Sequence, residues 1–321
     1  MKKVLVMILI GVTVLTGCAN KNNTDEKIKI GISQIVEFEV LDKNREGFIK
    51  ALEDNGYIDG ENVEIDYQNA QGDIKNTQTI AKNFTTRKKD MIFAISTPSA
   101  QGAYNSTKDI PIMISAVTDP IAAGLVKSLK EPNTNVTGTS DYIPVEKQLE
   151  LIKLLMPDAK KIGVLYNTSE INSEILVDQL KEVSKKQGYE VIEAGVTSTN
   201  EVSQAIGSLT KKVDVLYAPT DQLVVSSMPI IVQKTIEGNI PIIASEKGSV
   251  KKGALATQGI DYYKLGYKTG EMAVKVLNGE DISKMSVGLP EKTEIFINED
   301  SLRALSIEKP HGDNITYLEN E

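Results

Sequence analysis

Ile30-Gly31-Ile32, within Lys29-Ile-Gly-Ile-Ser33, returns as Ile162-Gly163-Val164 132 residues later. Asn55-Gly56-Tyr57 returns as Gln187-Gly188-Tyr189 at the same offset. Asp90-Met91-Ile92 finds its counterpart in Asp214-Val215-Leu216, and Ile110-Pro111-Ile112-Met113 in Ile240-Pro241-Ile242-Ile243. Each match is weak alone. The near-constant spacing makes the chain a tandem of two similar units.

Within the first unit, short apolar runs alternate with helical patterns. Strands are expected at 29–33, 62–67, 90–96 and 111–116, and helices at 43–55, 77–87 and 100–107. Such βαβ alternation implies a parallel sheet covered by helices on both faces. The fold class is therefore α/β: two similar doubly wound parallel-sheet lobes joined by three hinge crossovers. Gly138-Thr-Ser-Asp141-Tyr142 and Gln258-Gly-Ile-Asp261-Tyr262 each precede a long amphipathic helix, at 148–155 and 265–277. Crossings are expected near 141, 255 and 285. The N-terminal lobe is then 28–141 plus 255–284, and the C-terminal lobe 142–254 plus 285–310, with a strand at 294–298. Residues 311–321 read as a polar tail.

The N-terminus carries an address. Lys2 and Lys3 precede an apolar run, Val4 to Leu15, too short for the about 20 residues that span a bilayer. Leu15-Thr16-Gly17-Cys18 then presents the only cysteine among small residues. That is a lipoprotein signal: residues 1–17 are removed, Cys18 is lipidated, and 18–27 form a tether. A plain signal peptide or a buried helix is the simpler alternative. The reading places the protein outside the cytoplasmic membrane, held by acyl chains.

Composition narrows the function. A formal charge of −8 over 321 residues, more negative once Lys2 and Lys3 are lost, argues against nucleic acid as partner. The single histidine is His311, and the single cysteine has a lipid assigned to it, so catalysis by either is not expected. Motifs for zinc hydrolysis, a nucleophile elbow or phosphate cradling are missing. No metal and no cofactor is expected, and the chain is not read as an enzyme.

Ligands of open parallel sheets bind beyond the carboxyl ends of the strands. Those places carry Gln34 to Phe38, Ser96-Thr97-Pro98-Ser99 and Thr118-Asp119-Pro120, then Asn167, Thr220-Asp221 and Ser245-Glu246. Thr97 and Ser99 open a helix, whose free N–H groups suit a carboxylate. Asp221 and Asp261 are candidates for an ammonium group, and Phe38 for stacking on a ligand side chain. Capping or turn roles are the plainer alternative for Thr97, Ser99, Asp119, Asp221 and Asp261.

These stretches, above all Gly253-Ala-Leu-Ala-Thr257 through Gly259-Ile-Asp-Tyr-Tyr-Lys-Leu-Gly266, resemble the ABC-transporter substrate-binding family that includes binders of tryptophan, tyrosine and phenylalanine. The resemblance spans about residues 28 to 308. It implies the type I periplasmic-binding-protein fold, a carboxylate held by Thr97 and Ser99, and a polar cage of Thr118, Asn167, Thr220, Asp221 and Asp261. It also implies a monomer that serves an ABC permease and its ATPase. Many relatives carry a histidine where this chain has Phe38, so the headgroup site carries over more directly than side-chain specificity. Competing readings are a sugar or nucleoside binder, a sensory co-receptor, and a hydrolase using Asp221 and Asp261.

Replacement Cys18→Ala is expected to release the protein from membranes while sparing ligand binding. Fractionation that still finds Cys18→Ala tightly bound would point to an uncleaved helix.

Overall fold

The computed structural model describes residues 27–312 and 314–321. The lipoprotein signal, Cys18 and most of the tether therefore lie outside the described residues. Among the described residues no helix is long and apolar enough to cross a membrane.

The first lobe runs β1 (Ile28–Gln34), α1 (Glu39–Asp54), β2 (Val63–Asn69), α2 (Ile74–Thr86), β3 (Met91–Ile95), α3 (Thr97–Ser106), β4 (Ile112–Val117) and β5 (Val136–Ser140). The second runs α4 (Val145–Leu155), β6 (Lys161–Asn167), α5 (Ile171–Gln187), β7 (Glu190–Val196), α6 (Thr199–Leu209), β8 (Val215–Ala218), α7 (Gln222–Ser226), α8 (Met228–Glu237), β9 (Ile242–Ala244), α9 (Lys247–Lys251) and β10 (Ala256–Gly259). Then α10 (Tyr262–Leu277) returns to the first lobe. The elements β11 (Glu294–Asn298), α11 (Glu299–Ala304) and β12 (Ile315–Leu318) complete the second.

Sheet order is β2-β1-β3-β4-β5 in one lobe and β12-β11-β10-β9-β8-β6-β7 in the other. The order β7-β6-β8-β9-β10 repeats β2-β1-β3-β4-β5 strand for strand. Ile30–Ile32 and Ile162–Val164 thus occupy equivalent strands, as their offset implied. With three crossings, this is the type I periplasmic-binding-protein architecture. The central strands β3 and β4 are buried throughout, as is β5 at one edge, while the edge strands β2 and β7 are only partly covered. Burial on both faces explains why the central strands read as unbroken apolar runs.

Some boundaries differ from the expected ones. The second crossing falls at Ile260–Asp261, not 255, because Ala256–Gly259 pair with Ile243 and with Glu294–Ile297 in the C-terminal sheet. The third falls after Gly288, not 284, because Gly288 bridges to Thr139 and exchanges backbone hydrogen bonds with Gly138 and Ser140. The expected tail contains β12, whose Ile315–Leu318 add an outer parallel strand to β11.

Each lobe lends a helix to the other's chain segment. After β5 the chain crosses and α4 packs on β9 and β10; after β10 it crosses back and α10 packs on α1, β4 and β5. The α1–α10 contact is close enough to exclude side chains. A Cβ at Gly266 would lie 1.8 Å from the Asn44 carbonyl oxygen, and one at Gly47 2.1 Å from that of Tyr263.

Gly266→Ala must therefore push two helix backbones apart. A loss of about 1–3 kcal/mol, at the least, is expected in urea or thermal melts. Gly207→Ala, in α6 with nothing within 4 Å, is expected to stabilise by about 0.5–1 kcal/mol.

Candidate functional site

The carboxyl ends of the two sheets face each other across a cleft crossed by the chain at 141–144. From the N-terminal lobe come Phe38, Leu41, Ala116, Thr118 and Asp141; from the C-terminal lobe come Tyr217, Thr220, Gln222, Ser245 and Glu246. Two chambers remain between them, each of about 10 Å³. Asp141 and Thr220 line both. A solute as large as an amino acid requires the lobes to part for entry.

The N-terminal wall is shaped by an irregular strand end. The pairing of β4 with β5 shifts register between Ile114 and Val117, and Ala116 adopts φ +55. Such a bulge re-aims the residues that follow it, here bringing Ala116 and Thr118 to the cleft. On the other wall, Tyr217 is fully buried and accepts from the Ser245 hydroxyl at 3.1 Å, and burial lifts its own hydroxyl to about 12.

Asp141 dominates the electrostatics. It is 5% exposed and accepts from the Tyr262 hydroxyl at 2.9 Å through Oδ2. Among the described residues its Oδ1 has no hydrogen-bond partner. Burial raises its carboxyl from 3.8 to about 6, against the opposing pull of the Tyr262 hydroxyl. Burial, and then the charge of Asp141, raise Tyr262 well above the ordinary tyrosine value. A buried carboxylate with one unmatched oxygen seeks a donor in this cleft, as does the unmatched Gln222 Oε1 in the chamber that both line.

A second set of unmatched groups lies at the ends of β1 and β3. The hydroxyls of Ser33, Ser96 and Ser99 are buried and, among the described residues, have no hydrogen-bond partner. Ser96, at φ +84, turns the chain from β3 into α3, with Pro98 in the first turn of the helix. Thr97 and Ser99 are buried at that same helix start, where backbone N–H groups lack helical acceptors.

The other expected site residues have structural partners. Gln34 donates to the Val36 carbonyl and to Asp42, and accepts from Arg45, which stacks over Tyr67. Asp119 caps the turn of Ile121 and Ala122, accepting from both at about 3 Å. Asn167 donates its backbone N–H to Asp221 at 2.6 Å and its side chain to Glu170 at 3.1 Å. Asp221 is fully buried in the C-terminal lobe and also accepts from Ser173 and from Val224 N, capping α7. Burial, reinforced by Asp221, holds the neighbouring Glu170 above the usual carboxylate range.

Asp261 departs most from expectation. It caps α10 through Lys264 N and pairs with Lys264 Nζ at 3.2 Å, with a side chain 45% exposed. It borders shallow depressions of about 360 and 240 Å³ beside the second and third crossovers, and neither cleft chamber. Asp141 and Asp261 occupy equivalent places in the repeat, and the structure turns only Asp141 into the cleft. The Asp-Tyr pair at 141–142, matching 261–262, was the signal for it. Tyr217, Gln222, Glu246 and Tyr262 also line the chambers, and nothing in the local sequence singled them out except their strand-end positions.

Residues 29–315 match the ABC transporter substrate binding protein family. The chain belongs to the ABC transporter substrate-binding proteins. It is 57% identical over 334 residues to a tyrosine-binding protein of Clostridioides difficile, covering 100% of this chain and 97% of that one. The ligand-free, open structure of a substrate binding protein with adhesive properties from Clostridium difficile shares 60% identity at a TM-score of 0.72, covering 91% of this chain and 99% of that one. A domain from Streptococcus pneumonia in complex with L-Trp shares 38% identity at a TM-score of 0.86, covering 88% and 96%. As a substrate-binding protein of this family the chain binds a solute and is not an enzyme.

The raised carboxyl of Asp141 has a stability consequence with a definite sign. Between about pH 4 and 6 the folded protein keeps a proton that the unfolded chain releases, so stability falls as pH rises through that window. The interval from 3.8 to about 6 corresponds to about 3 kcal/mol. Asp141→Asn is therefore expected to be more stable than wild type at pH 7–8, by up to about that amount, with the difference vanishing near pH 3–4. Urea melts across this range measure it. Asp261→Asn, exposed and still able to cap, is expected to show no such crossover.

Proposed function

We propose that this substrate-binding protein captures an α-amino acid with an aromatic side chain, tyrosine foremost, between its lobes. The observation that carries the reading is Asp141 Oδ1, buried at the centre of the cleft without a donor. A ligand ammonium is the group that matches it in charge and hydrogen bonding. Thr118 and Thr220 stand beside Asp141. For the carboxylate the reading draws on the unmatched hydroxyls of Ser33, Ser96 and Ser99 and on Thr97 beside them, at the ends of β1 and β3 and outside the lining of the two closed chambers. Phe38, Leu41, Ala116 and Val225 form an apolar wall for the ring.

The relatives support this chemistry, one being a tyrosine-binding protein and another having been solved with L-Trp. The higher TM-score to the L-Trp complex, despite lower identity than the open structure, supports a closing motion as the functional event. The cargo would pass to an ABC permease and its ATPase at the outer face of the membrane. A lipid on Cys18 would hold the binder near that permease and raise its effective concentration.

Thermal melts with each common amino acid, a sugar set and a nucleoside set test the ligand class. A ligand specific to the folded state stabilises by about 2.7 kcal/mol at 100-fold excess over its Kd. Tyrosine, tryptophan or phenylalanine is expected to give the largest shift. Asp141→Asn should weaken that ligand by about 2–5 kcal/mol in calorimetric titration, and Asp261→Asn should not. Because an ammonium needs the ionised carboxylate, affinity should decline below about pH 6. A flat amino-acid series beside a shift with a sugar or nucleoside would refute the assignment.

A further inference from the structure

Beside the cleft, contacts cross between the lobes that touch neither chamber's polar centre. At the start of α1, in the N-terminal lobe, stand Phe38 and Glu39; facing them is α9 of the C-terminal lobe. Lys251 Nζ reaches Glu39 Oε1 at 2.7 Å, with side chains 21% and 37% exposed. Lys252 Nζ lies 4.2 Å from the centre of the Phe38 ring. A Cβ on Gly248 would lie 2.9 Å from Phe38 Cζ, so the ring sits directly on the α9 backbone.

The position of α9 is fixed by its own lobe. Glu246 caps it by accepting from Gly248 N and Ser249 N. Residues 315–321 brace it. After β12, Asn320 accepts from the Asn298 side chain at 2.8 Å and donates its N–H to Asp300 at 2.9 Å. The Glu321 N–H then donates to the Lys251 carbonyl at 3.1 Å, and the Glu321 carboxylate pairs with Lys251 Nζ. One lysine is thereby held between a carboxylate of its own lobe and one of the opposite lobe. Asn298 also donates to the Val250 carbonyl at 2.7 Å, so the brace and α9 share an anchor.

We propose that Glu39, Lys251 and the Phe38–Lys252 contact form a latch that sets how long the cleft stays closed, with residues 315–321 positioning its lysine. The proposal rests on lobe closure as the binding event, not on which solute is bound. Glu39 and Lys251 are positioning residues: neither lines the chambers around Asp141. The latch is ionic and partly exposed, so its strength depends on salt, unlike the buried headgroup site. It also assigns Phe38 a role in closure, through its face toward Lys252, in addition to its place in the wall of the chamber with Leu41 and Ala116.

The test reads lobe separation with and without ligand. Small-angle scattering of the full chain is recorded for wild type, Glu39→Gln, Lys251→Gln, the double variant and Lys251→Arg. Each Gln variant is expected to lower the closed-to-open ratio about two- to fivefold. The double variant should open no further than the worse single one. Lys251→Arg keeps the charge and should stay near wild type. Raising salt from ~20 mM to ~0.5 M should shift wild type toward the Gln variants, which respond little themselves. Lys50→Ala, which breaks the Lys50–Asp54 pair within α1, should change nothing. Additive effects, or unchanged lobe separation in both single variants, would overturn the latch. A response of lobe separation to these variants in a protein that binds no amino acid would uphold the latch and defeat the ligand assignment.

Discussion

Backbone contact between α1 and α10 is the constraint on which the cleft depends. Glycines at 47, 266 and 270 let the two helices approach until only main chain separates them. That contact makes α10, reached from the far lobe, an integral part of the N-terminal lobe. It also allows Asn44, fully buried on α1, to donate to the Tyr262 carbonyl at 3.2 Å and to Ser115 at 2.8 Å. A buried chain of hydroxyls continues from Ser115 to Thr139 and Thr269, tying β4, β5 and α10 together. Tyr262 is thus held by its own backbone, and its ring stands where the phenol meets Asp141. A larger residue at 266 would move Tyr262 and with it the phenol that donates to the cleft carboxylate.

Three sets of buried carboxylates lie at strand ends, and their surroundings separate their roles. Asp221 accepts from Asn167 N, Ser173 and Val224 N, and Glu246 from two backbone N–H groups of α9. Those groups are matched within one lobe and need nothing from a solute. Asp141 has the Tyr262 phenol on one oxygen, and among the described residues its other oxygen has no hydrogen-bond partner. Leaving a buried polar group unmatched costs about 1–3 kcal/mol, more when it is charged. The closed cleft therefore carries a penalty that the ammonium of the proposed ligand would remove. That is how a binding protein makes closure depend on cargo, since the same carboxylate in an open cleft would be hydrated.

The repeat made the architecture legible. A side-chain period of two and the alternation of strand and helix fix which residues are buried, and the offset of 132 carried the first lobe's pattern onto the second. The site was less legible for a physical reason. Gly138-Thr-Ser-Asp-Tyr142 and Gln258-Gly-Ile-Asp-Tyr262 are equivalent, and either aspartate satisfies the same local rules. Which one turns inward is decided by which lobe the next helix joins, a long-range fact absent from any window of sequence. Asp261 caps the helix that returns to α1 and so faces outward. Asp141 precedes Pro144, which starts a helix in the other lobe, and stays in the hinge. The outer strand β12 escaped notice because edge strands are short and half polar, and its role in bracing α9 exists only after folding.

Closure has two components that act on different properties. The proposed match to Asp141 would be specific to a donor-bearing cation and so would discriminate among solutes. In the proposed latch the contacts of α1 with α9 do not involve the solute, so they would shift the resting balance of open and closed forms. Apparent affinity falls in proportion to the fraction of competent protein, and a latch that favours closure raises it for every ligand alike. Too strong a latch would close the cleft on nothing, because the chambers as they stand admit no solute. The unmatched carboxylate opposes that outcome. Its penalty, of the order of a few kcal/mol, exceeds the at most about 1 kcal/mol that one exposed ion pair supplies. The balance leaves the lobes free to part without cargo and keeps the decisive free energy with the ligand.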